Sequence, residues 1–447
     1  MKKLRAVVLI DGEHYPPVVQ EAIDAVRAEG AVEIVAACFL GGTEKIGSLD
    51  ELSLDVPILA NGTLIELARR AVHEFAPDVA IDLSDEPVVG YEERLLLASF
   101  FAAQGVDYLG SDFRFAAPTF EEAATKPSLG IIGTGKRVGK TAVSAHTARL
   151  LKEWGRKPVV VAMGRGGPKD PVVLDGESIL IDNAFLLELK EKGMHAASDY
   201  VEDAMMSRVT TIGCRRCGGG LLGQPFVTNV PEGVRVANTL EADIILVEGS
   251  GSAIPPVRAD AYVTVASLIE PETHVTGYLG PFRLFISSAL VLTNCETSDD
   301  RRMFERIQRE AQRQNPDIEV VGTIFRPRAL EPLRGEKVFL ATTAHPDHLE
   351  KIARHLEQTE NCEVVFASSS LSNRGRLREE LEARKKDFTA IAMELKAASV
   401  DVCLSYAIET GRRAVFFDNI PHSVAGERTY EDIVRDIDAR LFSKQER

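Results

Sequence analysis

The stretch GIIGTGKRVGKTAVSAH at residues 130–146 constrains the fold more than any other part of the chain. An apolar run passes through glycines into Gly-Lys-Thr and then into helix-forming sequence. That is the pattern of a strand turning directly into a helix. Backbone N–H groups at such a helix start, with the helix dipole behind them, cradle phosphate oxygens. Gly139 lets the backbone close around a β-phosphate, Lys140 brings a point charge to the β- and γ-phosphates, and Thr141 offers a hydroxyl to Mg²⁺. The glycine expected five residues before Gly139 is replaced by Thr134, but Gly133 and Gly135 flank it and either can supply the turn. The candidate nucleotide contacts are Gly133, Thr134, Gly135, Val138, Gly139, Lys140 and Thr141. Lys136 and Arg137, inside the loop, are candidates for stabilising the departing charge.

A loop of this kind needs a parallel sheet around it, and the flanking sequence supplies one. KLRAVVLID, VEIVAACFL, DVAIDLS and VDYLGSD read as strands, separated by the helices PPVVQEAIDAVRAEG, TLIELARRAVHEFAP and LLLASFFAAQG. In the first helix Val18, Val19, Ala22, Ile23 and Val26 are expected on one face, with Gly30 as the stop. After the glycine loop, KPVVVAMGRGG, ADIILVEGSGS, ALVLTNCE and EVVGTIFRP continue the strands, and KVFLATTA, CEVVFASSS and RRAVFFD follow. LREELEARKKDFTAIAMELKAA reads as a helix. Alternation of this type gives an α/β fold with a mostly parallel sheet covered on both sides. The expected organisation is an N-terminal α/β, Rossmann-like domain over 1–125, on the substrate side, a P-loop nucleotide-binding domain over 126–334, and a C-terminal βα extension over 335–447. Whether that extension continues the central sheet is open at this level.

A nucleotide loop needs an acid at the end of another strand to organise its metal. IILVEGSGS at 244–252 places Glu248 there, at the carboxyl edge where open α/β sheets bind ligands. Guanine recognition by Asn-Lys-x-Asp is missing from VLTNCETSD at 291–299, so ATP is favoured, with Asn294 a candidate for the base. Basic residues gather in the turns. Arg165 and Lys169 lie in GRGGPKDP, Arg215 and Arg216 in GCRRCGGG, and Arg258 follows the Glu248 turn. Arginine contacts of this kind suit a small, highly anionic substrate. Asp11, Glu13 and His14 follow the first strand and are further substrate candidates. A net charge of −15 argues against nucleic acid or an anionic membrane as partner. No apolar run reaches the roughly 18 residues of a bilayer span. The six cysteines are scattered apart from Cys214 and Cys217, where loop packing outweighs zinc or redox chemistry. A cytoplasmic protein is expected.

GTxxxVGKT at 133–141 with EGxG at 248–251 resembles dethiobiotin synthetase and its P-loop relatives. In that family a Ser-Asp-Ala segment supplies a further magnesium ligand, and SDYVEDA at 198–204 implies Asp199 in that role. Taken with IDGEHYPP, MGRGGP, GCRRCGGG and VEGSGSAIPP, the chain resembles the cyclic 2,3-diphosphoglycerate synthetases over nearly its whole length. The resemblance implies a ligase that uses ATP and Mg²⁺, with K⁺ a candidate monovalent ion, to close 2,3-diphosphoglycerate into a ring. It also implies a homodimer. The competing readings are another small-molecule kinase or ligase on the same scaffold, and a partition-type nucleotide switch. Partition ATPases carry a loop lysine one residue earlier, where this chain has Gly135.

Overall fold

A computed structural model describes residues 3–178, 183–191, 198–396 and 398–443. The first sheet contains β1 (Leu4–Ile10), β2 (Val32–Phe39), β3 (Ile58–Leu59), β4 (Val79–Asp82), β5 (Asp107–Leu109) and β6 (Arg114–Phe115). Their order is β3-β2-β1-β4-β5-β6. All neighbours are parallel except β5 and β6. From Ala6 to Ile10 strand β1 is an unbroken, buried apolar run because helices cover both faces. The strand order reverses between β1 and β4, which makes their carboxyl ends the crevice of this unit.

The helix Pro16–Ala28 forms as expected, and Gly30 follows it with φ of 75°. Its buried face is narrower than the sequence reading. Val19 and Ile23, one helical turn apart, are buried, whereas Val18 is half exposed. One residue of helix turns a side chain by about 100°, which carries Val18 off the stripe.

The second sheet contains β7 (Ser128–Gly133), β8 (Pro158–Gly164), β9 (Val172–Asp175), β10 (Thr210–Cys217), β11 (Val227–Thr228), β12 (Ile244–Glu248) and β13 (Ala261–Ser267). It continues through β14 (Ala289–Thr293), β15 (Glu319–Ala329), β16 (Lys337–Ala341), β17 (Glu363–Ser368), β18 (Ala390–Met393) and β19 (Arg413–Gly426). The order is β11-β10-β8-β12-β7-β13-β14-β15-β19-β18-β16-β17, with β9 on β10. The parallel run from β10 to β15 ends where β15 pairs antiparallel with β19. That pairing answers the open question about the last segment: its strands are hydrogen-bonded into the same sheet as the glycine loop. The α/β class with a central, mostly parallel sheet is borne out.

Two parts of the sequence reading change. The stretch expected as one helix from Leu377 is a helix at Arg374–Ala383 followed by the strand β18. Ala390 to Met393 are fully buried between β16 and β19, and that burial overrides the helix propensity of alanine and methionine. GCRRCGGG, expected as a flexible turn, begins as the last residues of β10.

The helix Lys140–Glu153 that follows the glycine loop is held from behind by the C-terminal segment. The Thr147 hydroxyl meets the Tyr430 hydroxyl at 2.6 Å, and Arg149 pairs with Asp418 at 2.6 Å with both side chains largely buried. The short helix Pro281–Ile286 joins the two sheets' units. Phe285 meets Phe100 edge-on at 5.3 Å, and Phe282 is buried in one cluster with Leu97, Phe101 and Ile132. Among the described residues no helix is long and apolar enough to cross a membrane.

Candidate active site

Because β7, β8, β12, β13 and β14 run parallel, their carboxyl ends open onto one edge. Val265 pairs with Gly133, Ser267 with Thr293, and Glu248 with both Ile131 and Ala162. The turns after these strands therefore face one another. The glycine loop occupies residues 134–139, and the helix begins at Lys140. Left-handed backbone falls on Arg137 (φ 67°) and Gly139 (φ 95°), not on Thr134. This explains why threonine is tolerated where a glycine was expected. Gly139 is required twice over, since a Cβ there would also lie 2.4 Å from the Phe325 ring.

Inside the loop the Lys140 ammonium donates to the Gly135 carbonyl at 2.8 Å. The residue is buried, and burial pushes its ammonium down to about 8, against the pull of Glu248 and Asp199. The Thr134 amide donates to the Val265 carbonyl at 3.1 Å, and the Thr134 hydroxyl faces Glu270. Val138 is buried, its carbonyl accepting from the Thr293 hydroxyl at 2.9 Å. Lys136 and Arg137 project into solvent. Asn294, also left-handed (φ 64°), directs its amide to the Ser267 hydroxyl at 2.9 Å.

An acidic group lies on the far side of Lys140. Glu248 ends β12 with 2% of its surface exposed, and its Oε2 has no hydrogen-bond partner. Asp203 is 0% exposed and neither carboxylate oxygen has a partner. Asp199, Glu202 and Asp203 share one face of the helix Asp199–Ser207 because residues three and four apart are neighbours there. A Cβ on Gly164 would lie 3.0 Å from Asp199 Oδ2, so β8 ends against that carboxylate. Burial, then Glu248, drives Asp203 well above the usual carboxylate range. Burial likewise raises Glu248, while Asp203, Lys140 and Thr141 oppose the shift. Glu202 is pushed up to about 7 by burial even though Lys396 lies against it at 2.5 Å.

These orphaned oxygens bear on the implied magnesium. Among the described residues no group of three or more His, Cys, Asp or Glu side chains is arranged to hold a metal alone. Mg²⁺ commonly takes one or two carboxylates and completes its shell with phosphate oxygens and water. Glu248, Thr141 and Asp199 fit a Mg²⁺ that arrives with a nucleotide.

A cluster of arginines is built on the turn after Glu248. Arg216 donates from Nη2 to the Ser250 carbonyl and from Nη1 to the Gly218 carbonyl, both at 2.8 Å. Its buried Nε has no partner. Gly251 has φ of 60°, and a Cβ there would lie 2.8 Å from Arg165 Nη2 and 3.3 Å from Arg216 Nη2. Burial, then Arg165, pushes the Arg216 guanidinium down. Arg283, which no sequence pattern singled out, completes the cluster. It is buried, donating from Nε to Gly133 at 3.1 Å and from Nη2 to Ser252 at 2.5 Å. Asp203 was also missed, although its spacing from Asp199 on one helix was a readable signal. Arg283 offered none.

Three expected substrate residues are exposed. Arg215 neighbours Arg216 on a strand, so the two side chains project to opposite faces, and Arg215 is exposed. Lys169 is exposed too, and its carbonyl accepts from Asn229. Arg258 lies at the amino edge of the sheet, before β13 begins, and pairs with Glu122 at 2.5 Å. Asp11, Glu13 and His14 sit at the carboxyl end of β1 in the other sheet. There Asp11 accepts from the Glu13 amide at 2.9 Å, His14 Nδ1 at 2.8 Å and the Asp85 amide at 2.5 Å. Cys214 is packed in an apolar cluster with Val161 and Val234, which accounts for it as core.

Comparison with known proteins agrees along the chain. Family models described as the N-terminal, P-loop and C-terminal domains of cyclic 2,3-diphosphoglycerate synthetase match residues 5–116, 128–324 and 329–420. A cyclic 2,3-diphosphoglycerate synthetase of Rubrobacter xylanophilus is 48% identical over 94% of this chain and 94% of its own. Those of Thermococcus gammatolerans and Thermococcus sibiricus are 45% and 42% identical, each over 96% of this chain and 96% and 97% of their own lengths. The chain belongs to the cyclic 2,3-diphosphoglycerate synthetase family.

Proposed function

We propose that the chain is an ATP- and Mg²⁺-dependent ligase that converts 2,3-diphosphoglycerate into its cyclic phosphoanhydride, releasing ADP and phosphate. The observation that carries this reading is a glycine loop beside two sets of charged groups. One set is buried carboxyls, with Asp203 and Glu248 against each other; the other is guanidiniums crowded onto a single turn.

Phosphoryl transfer needs positioning and neutralised charge more than covalent help. Gly133 to Thr141 hold the triphosphate, with Lys140 on its outer phosphates and Asn294 toward the base. Thr141, Glu248 and Asp199 would hold Mg²⁺, which would supply neutralisation of the phosphate charge. Arg165 and Arg216 hold the substrate against the γ-phosphorus, and Lys136 and Arg137 face the departing charge. One substrate phosphate oxygen attacks the γ-phosphorus, forming a substrate-borne diphosphate as the bond to ADP breaks. The neighbouring phosphate then attacks the inner phosphorus of that diphosphate, closing the ring and expelling inorganic phosphate. Asp11, Glu13 and His14 are proposed to meet the substrate from the first sheet's crevice. A homodimer in the cytoplasm, with K⁺ as an activating ion, belongs to the same proposal.

A phosphorus NMR time course with ATP, Mg²⁺ and 2,3-diphosphoglycerate tests it, with other phosphorylated acids in parallel. Growth of cyclic anhydride resonances with stoichiometric ADP supports the reading. ADP release driven by a different acid, and not by 2,3-diphosphoglycerate, overturns it.

A further inference from the structure

Arg283 lies on the six-residue helix Pro281–Ile286, which faces two ways. Phe282 and Phe285 pack into the apolar cluster shared with the first sheet's unit. Arg283 points the other way, to the edge where the nucleotide loop begins. Its Nε donates to Gly133, the last residue of β7, and its Nη2 to Ser252, which lies in the turn after Glu248. The same turn carries Ser250 and Gly251, against which Arg216 and Arg165 lie. One planar group thus ties the base of the nucleotide loop to the turn that bears the substrate arginines.

The charge on this group is placed at a price. Arg283 is 5% exposed. Burial pushes its guanidinium down to about 10, and its Nε and Nη2 both donate to backbone carbonyls. A buried cation held only by carbonyl dipoles is poorly stabilised. A merely structural tie between two carbonyls needs no charge. The cation also acts on Lys140, whose ammonium it disfavours, so it lies within the electrostatic reach of the phosphate cradle.

We infer that Arg283 is a positioning residue for phosphoryl transfer, setting the spacing between the nucleotide loop and the Arg165–Arg216 turn. This rests on the proposed function, which assigns that turn to the substrate. A shift of about 1 Å between reacting partners can lower turnover by about 100-fold.

The test uses full-length Arg283→Lys and Arg283→Gln. Lysine keeps the charge but cannot bridge both carbonyls, and glutamine keeps one donor without the charge. Both are expected to lower kcat for cyclic product by about 100-fold, with binding of a fluorescent ATP analogue changed by less than about threefold and the melting midpoint within a few degrees of wild type. Turnover within about threefold of wild type overturns the inference. So does a loss of turnover matched by an equal loss of ATP affinity. If either variant fails to fold, Phe285→Leu reads the linkage from the helix's other face. It should lower kcat at unchanged ATP affinity, and an unchanged kcat overturns the inference. Wild-type product formation keeps the two ideas separate. Without cyclic product from wild type the functional reading fails, whereas product from wild type and variants alike sinks only the role of Arg283.

Discussion

Replacing Asp203 by asparagine should make the protein more stable. Both Asp203 oxygens and Glu248 Oε2 are buried without a hydrogen-bond partner, and the two carboxyl groups lie against each other. An amide at position 203 removes one charge and supplies two N–H groups beside the Glu248 carboxylate. A buried polar atom left unsatisfied costs about 1–3 kcal/mol, and a hydrogen bond to a charged group contributes about 1.5–3 kcal/mol. Since one amide oxygen stays unsatisfied, a net gain of about 1–2 kcal/mol is expected near neutral pH. For a domain of about 200 residues that corresponds to a rise of roughly 2–8 °C in melting midpoint.

The pH dependence follows from the sign of the shift. Burial, and then Glu248, raises Asp203 above its ordinary value. Wild type therefore holds its full stability below the ordinary Asp value of about 4 and loses it as pH rises through the folded-state value. Asparagine does not titrate. The advantage of Asp203→Asn should be small near pH 4 and grow toward pH 8, measured by thermal unfolding without nucleotide or Mg²⁺. A variant that melts below wild type near neutral pH, or a difference flat across that window, would refute the reasoning.

Lys140→Ala should abolish nucleotide binding and product formation. In wild type, kcat/KM for ATP should fall as pH rises through about 8, because burial makes the ammonium lose its proton early and kcat/KM reports the free enzyme; a flat profile from pH 7 to 9.5 counts against that. Gly139→Ala puts a Cβ at φ of 95° and 2.4 Å from Phe325, costing about 1–2 kcal/mol for the backbone alone, and ATP affinity measured by calorimetry should drop, with partial recovery in a Phe325→Ala background. Asp418→Ala leaves Arg149 buried without its 2.6 Å partner, and denaturant unfolding should show a loss of about 3–5 kcal/mol. With a net charge of −15, added salt should speed capture of the anionic substrate by screening repulsion, the reverse of a basically steered enzyme, as stopped-flow at 20 and 150 mM salt (roughly one Debye-length regime apart) would reveal.

What the sequence disclosed follows the range of the interactions involved. The glycine loop is local: strand, turn and helix start are neighbours in the chain, so Gly133 to Thr141 were readable as one object. Glu248 was readable because an apolar run followed by an acid and glycines marks a strand's carboxyl end. The basic turns were read only by composition, and composition cannot say which way a side chain points. Strand alternation separates Arg215 from Arg216, and the amino edge of β13 removes Arg258. Arg283 was invisible because its value comes from two carbonyls distant in sequence, at Gly133 and Ser252. The strand β18 was hidden for a related reason: its alanines and methionine suit a helix until the neighbours β16 and β19 bury them.

The two charged sets of the site share a property that bears on why the residues stand there. On one side Asp203 and Glu248 present buried oxygens without donors. On the other, Arg283 is buried against the Gly133 and Ser252 carbonyls, and Arg216 Nε is buried without an acceptor. Fold stability alone would let the two sets neutralise each other, since a paired buried charge is far cheaper than a lone one. The two sets stay unpaired instead, and Lys140 responds to both Glu248 and Arg283. The proposed metal–triphosphate would bring a cation for the acids and, with a second polyanion, negative charge for the bases. Unpaired acids and unpaired bases beside one loop therefore fit the proposed ligands, with folding energy withheld so that binding can recover it.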